Sequence, residues 1–198
     1  MSNVNAPFGL RPVRKIDGSP WNGQTIRCYI ASSYATALFI GDPVLWTTVL
    51  ALKNGYYPTI ERSAGTTGTV IRGVITSFEP NPNNLTQQYN PASTERWCQV
   101  CLGPDVVFQV RDNGGGAPSV VYQGQNAVLA AGSGSTITGI SAYVLAAATT
   151  PTTTQAHTLH ILGLSDIEDN EMGDYAIWDV LLNTCKNATG DYLGITAA

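Results

Sequence analysis

The chain has 198 residues and a formal net charge of −4, and only 12% of its residues are charged, about half the usual share of roughly 25%. The few basic residues form no stripe that would release counterions from nucleic acid, which argues against nucleic-acid binding. No run approaches the ~20 apolar residues of a membrane-spanning helix, so we expect no membrane partner. The N-terminus lacks a signal-peptide pattern, so we expect synthesis in a cytosol.

Residues 1–20 contain several proline and glycine residues, which exclude a helix of any length. They are interpreted either as a disordered tail or as an extended arm that docks on a neighbouring subunit. We take them as an N-terminal arm and residues 21–198 as a single β-rich domain. The arm holds two apolar anchors and three of the ten basic residues of the chain, namely Phe8, Leu10, Arg11, Arg14 and Lys15.

Short strands separated by turn residues are predicted through the next part of the chain. Residues 25–30 alternate between apolar and polar side chains, and residues 43–46 follow a turn. The Asn54-Gly55 dipeptide is typical of a tight hairpin. Residues 69–78 are apolar on both faces, which indicates a central strand. Residues 79–91 form a long polar loop, and such loops often lie at interfaces or binding surfaces.

Residues 97–116 are the most informative stretch. Most even-numbered positions up to Val110 are apolar and most odd-numbered positions are polar, which is the period of a half-buried strand. A two-residue hairpin at Gly103-Pro104 would place Leu102 opposite Asp105, so that apolar and polar side chains would share a face. We therefore predict one long strand that bends at Gly103-Pro104 and serves two sheets.

The C-terminal half contains further short β patterns. The predicted strands cover residues 119–122, 127–130, 136–148 and 158–164, with a strong final strand over 175–183. About ten short strands separated by turns are typical of a β-sandwich or barrel. We therefore expect an all-β fold, a β-sandwich or barrel that includes the jelly-roll type, with an extended N-terminal arm.

No catalytic or metal-binding motif stands out. Cys98 and Cys101 have the spacing of a redox pair, but in a strand they point to opposite faces, so we expect buried thiols. His157 and His160 likewise point to opposite faces and would need a carboxylate from elsewhere to hold a metal. The acidic turn 166–174 does not fit the calcium-loop pattern, because its sixth position is not glycine; casual cation binding there stays open. We expect no cofactor, no small-molecule substrate and no enzymatic activity.

Two segments of the chain are similar to structural proteins of tailed bacteriophages. They are Asn5-Ala6-Pro7-Phe8-Gly9-Leu10-Arg11-Pro12-Val13 and Ala37-Leu38-Phe39-Ile40-Gly41-Asp42-Pro43-Val44, supported by residues 72–74 and 169–173. The group resembles capsid decoration, or cement, proteins. This resemblance implies a β-rich, commonly trimeric protein on the outer head, at junctions between major capsid subunits, which strengthens the shell against internal DNA pressure. The resemblance carries no catalytic residues.

The resemblance leads us to expect a virion protein on the head surface, a homotrimer that binds the major capsid protein through many weak, repeated contacts. The expected contact residues are Phe8, Leu10, Arg11 and Arg14. A tail, baseplate or fibre component is the first alternative, and an enzyme is the most remote. A carbohydrate-binding module is the third possibility, with stacking platforms at Trp21, Trp46, Trp97 and Tyr89.

Overall fold

A computed structural model describes residues 3–47, 52–115, 122–146 and 151–185. Over these ranges the chain forms short β-strands and no α-helix, which confirms the all-β class. Within the same ranges there is consequently no helix long and apolar enough to cross a bilayer. The strands are β1 (Arg11–Lys15), β2 (Ile26–Ile30), β3 (Pro43–Trp46), β4 (Leu52–Lys53), β5 (Tyr57–Pro58), β6 (Ile60–Arg62), β7 (Gly73–Phe78), β8 (Arg96–Leu102), β9 (Val106–Arg111), β10 (Asn126–Ala127), β11 (Leu129–Ala130), β12 (Val144–Leu145), β13 (Leu159–Leu164) and β14 (Ile177–Leu182).

Two five-stranded antiparallel sheets form the body of the protein. Sheet A has the order β1-β9-β14-β13-β10, and sheet B has the order β2-β8-β7-β3-β6. The longer strands, such as β9 and β14, are rich in β-branched and aromatic residues, which favour a pleated, half-buried surface. Packed antiparallel sheets are consistent with the sandwich predicted from the sequence, and the described strands form no closed barrel.

The bend at Gly103-Pro104 carries the chain from one sheet to the other. β8 belongs to sheet B and β9 to sheet A, which confirms the predicted strand that serves two sheets. Glycine is required at the bend because a Cβ on Gly103 would lie 2.8 Å from Leu182 and 2.9 Å from the Cys185 sulfur. The bend is therefore packed directly against the end of sheet A.

The buried side chains divide into two cores. Core 1 contains residues of both sheets, among them Val74, Phe108 and Trp178, whereas core 2 is built from sheet B and the loop residue Leu38. The even-numbered positions of β9 enter core 1, whereas Cys98 and Val100 of β8 enter core 2 with Leu102 packed against it. Cys101, at an odd-numbered position of β8, enters core 1. The expected single apolar face is thus divided between two cores at the bend.

Residues 10–15 lie within the fold, which differs from the expected arm. β1 pairs antiparallel with β9, with Arg11 opposite Gln109, and the Leu10 side chain is 2% exposed in core 1. The partner strand lies 98 residues away, and no local sequence pattern reveals a pairing at that separation. Most of the strand predicted over 119–122 and the whole tail of residues 186–198 lie outside the described residues.

Candidate partner-contact site

The two segments that resemble phage structural proteins lie side by side. The backbone N–H of Leu10 donates a hydrogen bond of 2.9 Å to the carbonyl oxygen of Gly41. Gly9 and Gly41 both have positive φ, at 71° and 94°. A Cβ on Gly9 would lie 2.5 Å from the Gly41 oxygen, and a Cβ on Gly41 would lie 2.5 Å from the Phe8 oxygen. Both the backbone conformation and the close approach therefore require glycine.

Asp42 holds the turn next to this contact. Its buried carboxylate accepts a hydrogen bond of 2.9 Å from the backbone N–H of Phe39. Burial raises the pKa of Asp42 to about 6, against the opposing effects of hydrogen bonds from Ser141 and Phe39 and of the Arg62 charge. Ser141 also packs against Gly9. The Asp42 side chain therefore joins its own turn to the loop that contains Ser141, and Ser141 in turn packs against Gly9 of the first similar segment.

An apolar groove of about 410 Å³ opens beside the Gly9–Gly41 contact. We call it the N-terminal groove; its principal lining residues are Phe8, Leu10, Arg11, Trp21, Ile40 and Ile140. Three of the four contact residues expected from the sequence lie here, namely Phe8, Leu10 and Arg11. Ile40 belongs to the second similar segment, whereas Trp21, Ile75 and Ile140 come from other parts of the chain that no sequence signal connected to this site.

Arg11 lines the N-terminal groove, and Arg111, which lines a separate cavity, lies near the Phe8 ring, so two positive charges flank the groove's rim. The Arg11 guanidinium donates to the Gln109 side-chain oxygen at 2.6 Å, and the Arg111 guanidinium donates to two backbone carbonyls at 2.7 and 3.1 Å. The two guanidinium groups lie 4.9 and 5.9 Å from the centre of the Phe8 ring. Among the described residues, neither cation has a carboxylate at salt-bridge distance. The rim can therefore accept an external carboxylate.

Arg14, the fourth expected contact residue, lies apart from the N-terminal groove. Its guanidinium forms an ion pair of 3.1 Å with Asp179. It lines a different cavity of about 430 Å³, next to Leu164, Met172 and Trp178. The structure thus separates Arg14 from the other three residues and gives its charge a partner within the chain.

The four aromatic residues expected to stack on sugars form no common surface. Trp21 packs against core 1 and Trp46 against core 2. The Trp97 ring is covered by the Arg27 guanidinium at 4.1 Å, and Tyr89 stacks on another aromatic ring with centroids 5.3 Å apart. Each ring therefore has contacts within its own chain, and Trp21 is the one of the four that also lines the N-terminal groove.

A cluster of aromatic and charged residues on sheet B was not predicted. Trp97 contacts the rings of Tyr29 and Tyr57, with centroids 5.1 and 5.0 Å away. Arg27 lies over Trp97 and donates two hydrogen bonds to Glu79, at 2.6 and 2.9 Å. Tyr29 pairs directly with Trp97 across β2 and β8, so the two rings share a face. Trp97 was the one feature of the sequence that could have indicated this cluster, because it is aromatic at an odd-numbered position where the alternation predicts a polar residue.

Hydrogen bonds within the chain hold the two histidines and the acidic turn 166–174. His157 and His160 both contact Asn126 through Nδ1, at 3.2 Å from its backbone oxygen and 2.8 Å from its side-chain oxygen. The side chain of Asn170 bridges Ser165 and Ile177 and so organises the acidic turn. In the described ranges, no group of three or more His, Cys, Asp or Glu side chains could hold a metal ion.

Comparison with known proteins adds no relative: no family model, no curated protein and no solved structure matches this chain. The functional interpretation therefore depends on the chain's own residues. The features that bear on it are the packed glycine contact and the N-terminal groove with its two arginine residues.

Proposed function

We propose that this protein is a structural component of a tailed-bacteriophage virion. In this proposal it decorates the head as a homotrimer and stabilises it by binding the outer surface of the major capsid lattice at junctions between capsomers. One observation carries the proposal: the two segments that resemble such proteins pack against each other at Gly9 and Gly41. Both similar segments therefore meet at one contact, and both contribute residues to the N-terminal groove.

The surface of the protein is consistent with contacts to other protein. Only 12% of the residues are charged, and several large apolar side chains are exposed on loops, including Leu85, Ile137 and Ile140. Depletion of charge and exposure of apolar side chains are features of surfaces that meet other proteins. The N-terminal groove offers an apolar recess, and Arg11 offers a charge at its edge.

The proposed mechanism is stabilisation by binding. A protein that binds the assembled lattice better than it binds separated capsomers shifts the equilibrium toward the lattice by mass action. Each groove contributes a modest contact, in which an apolar side chain of the capsid enters the recess and a carboxylate pairs with Arg11. Repetition over a trimer, and over the lattice, turns these modest contacts into stable attachment.

The decisive experiment is to measure the copy number of the protein in purified virions of the phage that encodes it, by quantitative mass spectrometry against the major capsid protein. A ratio near one to one supports decoration of the head. A few copies per particle would favour the alternative of a tail, baseplate or fibre component. Absence from virions would overturn the proposal of a virion protein.

A further inference from the structure

Cys28 and Cys98 face each other across two neighbouring strands. In the antiparallel pairing of β2 with β8, Cys28 is the direct partner of Cys98, so their side chains share a face. Both side chains enter core 2 and are fully buried. The sulfur of Cys98 lies 3.8 Å from the backbone oxygen of Cys28. Both are free thiols.

The backbone geometry at this pair fits a disulfide. Directly opposed residues of antiparallel strands have Cα atoms about 4.5 to 5.5 Å apart, and disulfides span Cα distances of roughly 4.4 to 6.8 Å. The pairing of β2 with β8 runs without a register shift from Ile26 to Ile30. A bond between the two sulfur atoms therefore requires no sliding of one strand along the other.

The other two cysteines are placed elsewhere. Cys101 and Cys185 belong to core 1, whereas Cys28 and Cys98 belong to core 2. Cys101 lies on the same strand as Cys98 but points to the opposite face, so a bond between these two is excluded by the pleat. The fold thus pairs Cys98 with a thiol 70 residues away, although a closer cysteine exists in sequence.

We propose that Cys28 and Cys98 form a latent cross-strand disulfide, which closes when the chain meets a disulfide oxidant such as oxidised glutathione. One cysteine thiolate attacks a glutathione sulfur and releases the first glutathione thiolate. The second cysteine then attacks the mixed disulfide, forms the protein S–S bond and releases the second thiolate. The two protons lost by the cysteines are taken up by the two glutathione thiolates, and two electrons pass from protein to oxidant.

Exchange requires transient opening of sheet B. Both thiols are buried, and burial raises the pKa of Cys28 to about 12 and that of Cys98 well above its ordinary value, so few reactive thiolates exist in the closed sheet. β2 is the end strand in the order of sheet B, held on its other side by a single bridge from Tyr29 to Thr59, and its release from β8 would uncover both cysteines. The bond therefore forms during folding or during local opening of β2.

The cross-link would fasten β2 to its neighbour β8 in sheet B. It closes a loop between residues 70 positions apart, which restricts the unfolded chain, and we expect Tm to rise by roughly 5–15 °C. The inference is independent of the proposed function. Only the place where the chain would meet an oxidant rests on that function, because a virus particle that leaves a reducing cytosol enters an oxidising medium.

The test uses the full chain, reduced and unfolded in urea, then refolded in a mixture of reduced and oxidised glutathione. Unreduced peptide mapping of the folded fraction should show a peptide that joins Cys28 to Cys98, and the intact mass should fall by two hydrogen atoms. Cys28→Ser and Cys98→Ser should each abolish the cross-link and the gain in Tm. Cys101→Ser, on the same strand, is the matched control and should retain both.

Refolding in excess reductant establishes that the chain regains its fold without the bond. A folded product that stays fully reduced in the glutathione mixture overturns the proposal, and so does any pairing that involves Cys101 or Cys185. A Cys28–Cys98 bond that fails to raise Tm also overturns it, because the bond would then strain the native register. Cys28→Ala and Cys98→Ala replace the serine variants if a buried hydroxyl prevents folding.

Discussion

The backbone of Leu10 is hydrogen-bonded to the carbonyl of Gly41 at 2.9 Å, and this bond fixes the N-terminal segment to the turn that precedes β3. Leu10 then enters core 1, while Arg11 remains at the exposed rim of the N-terminal groove. Adjacent residues therefore have different roles, one in stability and one at the surface. Removal of the whole segment would change both at once, so substitutions are the better test.

Gly9→Ala should destabilise the fold by roughly 3 kcal/mol, because the new Cβ adds a clash to the cost of a left-handed backbone. That Cβ would meet the Gly41 oxygen at 2.5 Å, and backbone cannot move aside as a flexible side chain can. Urea unfolding measures the loss. Gly55→Ala is the control, since Gly55 has a similar φ of 75° with nothing within 4 Å of the added Cβ. It should lose only about 1 kcal/mol, and equal losses would contradict the packed contact.

Arg11→Gln should weaken binding to heads that lack the protein by roughly 10-fold and reduce its salt dependence, since a rim charge is lost. The thermal midpoint should change little, because Arg11 is exposed and the glutamine amide keeps an N–H donor for the oxygen of the buried Gln109 side chain. Co-sedimentation with such heads measures the affinity. Arg14→Gln removes the same charge outside the groove, where Arg14 pairs with Asp179. If both variants bind equally well, the groove is not the contact.

Asp42 should make the protein less stable as the pH rises from about 4 to 7. The carboxyl has a pKa of about 6 in the fold against an ordinary value of 3.8, so well below pH 3.8 it is protonated in both states and its burial carries no ionisation penalty. As the pH rises, the unfolded chain ionises first and stability is lost, up to roughly 3 kcal/mol above pH 6.

Asp42→Asn should remove this contribution, so the difference in unfolding free energy between the two proteins should change over that pH range. Urea unfolding at several pH values measures it. Asp166→Asn, on the exposed acidic turn, is the control for the loss of one negative charge. If the difference in unfolding free energy between the wild type and Asp42→Asn stays constant from pH 4 to 7, the Asp42 carboxyl is not buried as described.

Arg96→Lys should loosen the loop of residues 79–91. The guanidinium of Arg96 donates to the backbone oxygens of Glu79, Gln87 and Tyr89, at 2.8, 3.0 and 2.6 Å. A lysine ammonium lacks the planar fork needed to reach three carbonyls, so the loop should open more often. We expect roughly 10-fold faster chymotryptic cleavage after the exposed Leu85.

Arg14→Lys, at a site remote from this loop, should leave the cleavage rate unchanged. A rate for Arg96→Lys that matches the wild type would mean that other contacts hold the loop. Those contacts exist at its end, where Leu38 and Asn90 exchange backbone hydrogen bonds of 2.9 and 2.8 Å.

Local features of this fold follow from the pattern of residues along the chain. The alternation on both sides of Gly103-Pro104 predicted a bent strand that serves two sheets, because side-chain direction along a strand depends only on the pleat. The sequence also suggested Phe8, Leu10, Arg11 and Arg14 as contact residues, and that role stays a prediction. The first three line the N-terminal groove, whereas Arg14 lines a different cavity.

The tertiary structure alone decided which distant segments meet. Three contacts join residues far apart in the chain: the pairing of β1 with β9, the approach of Gly9 to Gly41 and the opposition of Cys28 to Cys98. The tertiary structure also divides the neighbouring strands β8 and β9 between two cores. Such contacts depend on the register and burial of whole sheets, and a local pattern of apolar and polar residues specifies a face but not the partner that covers it.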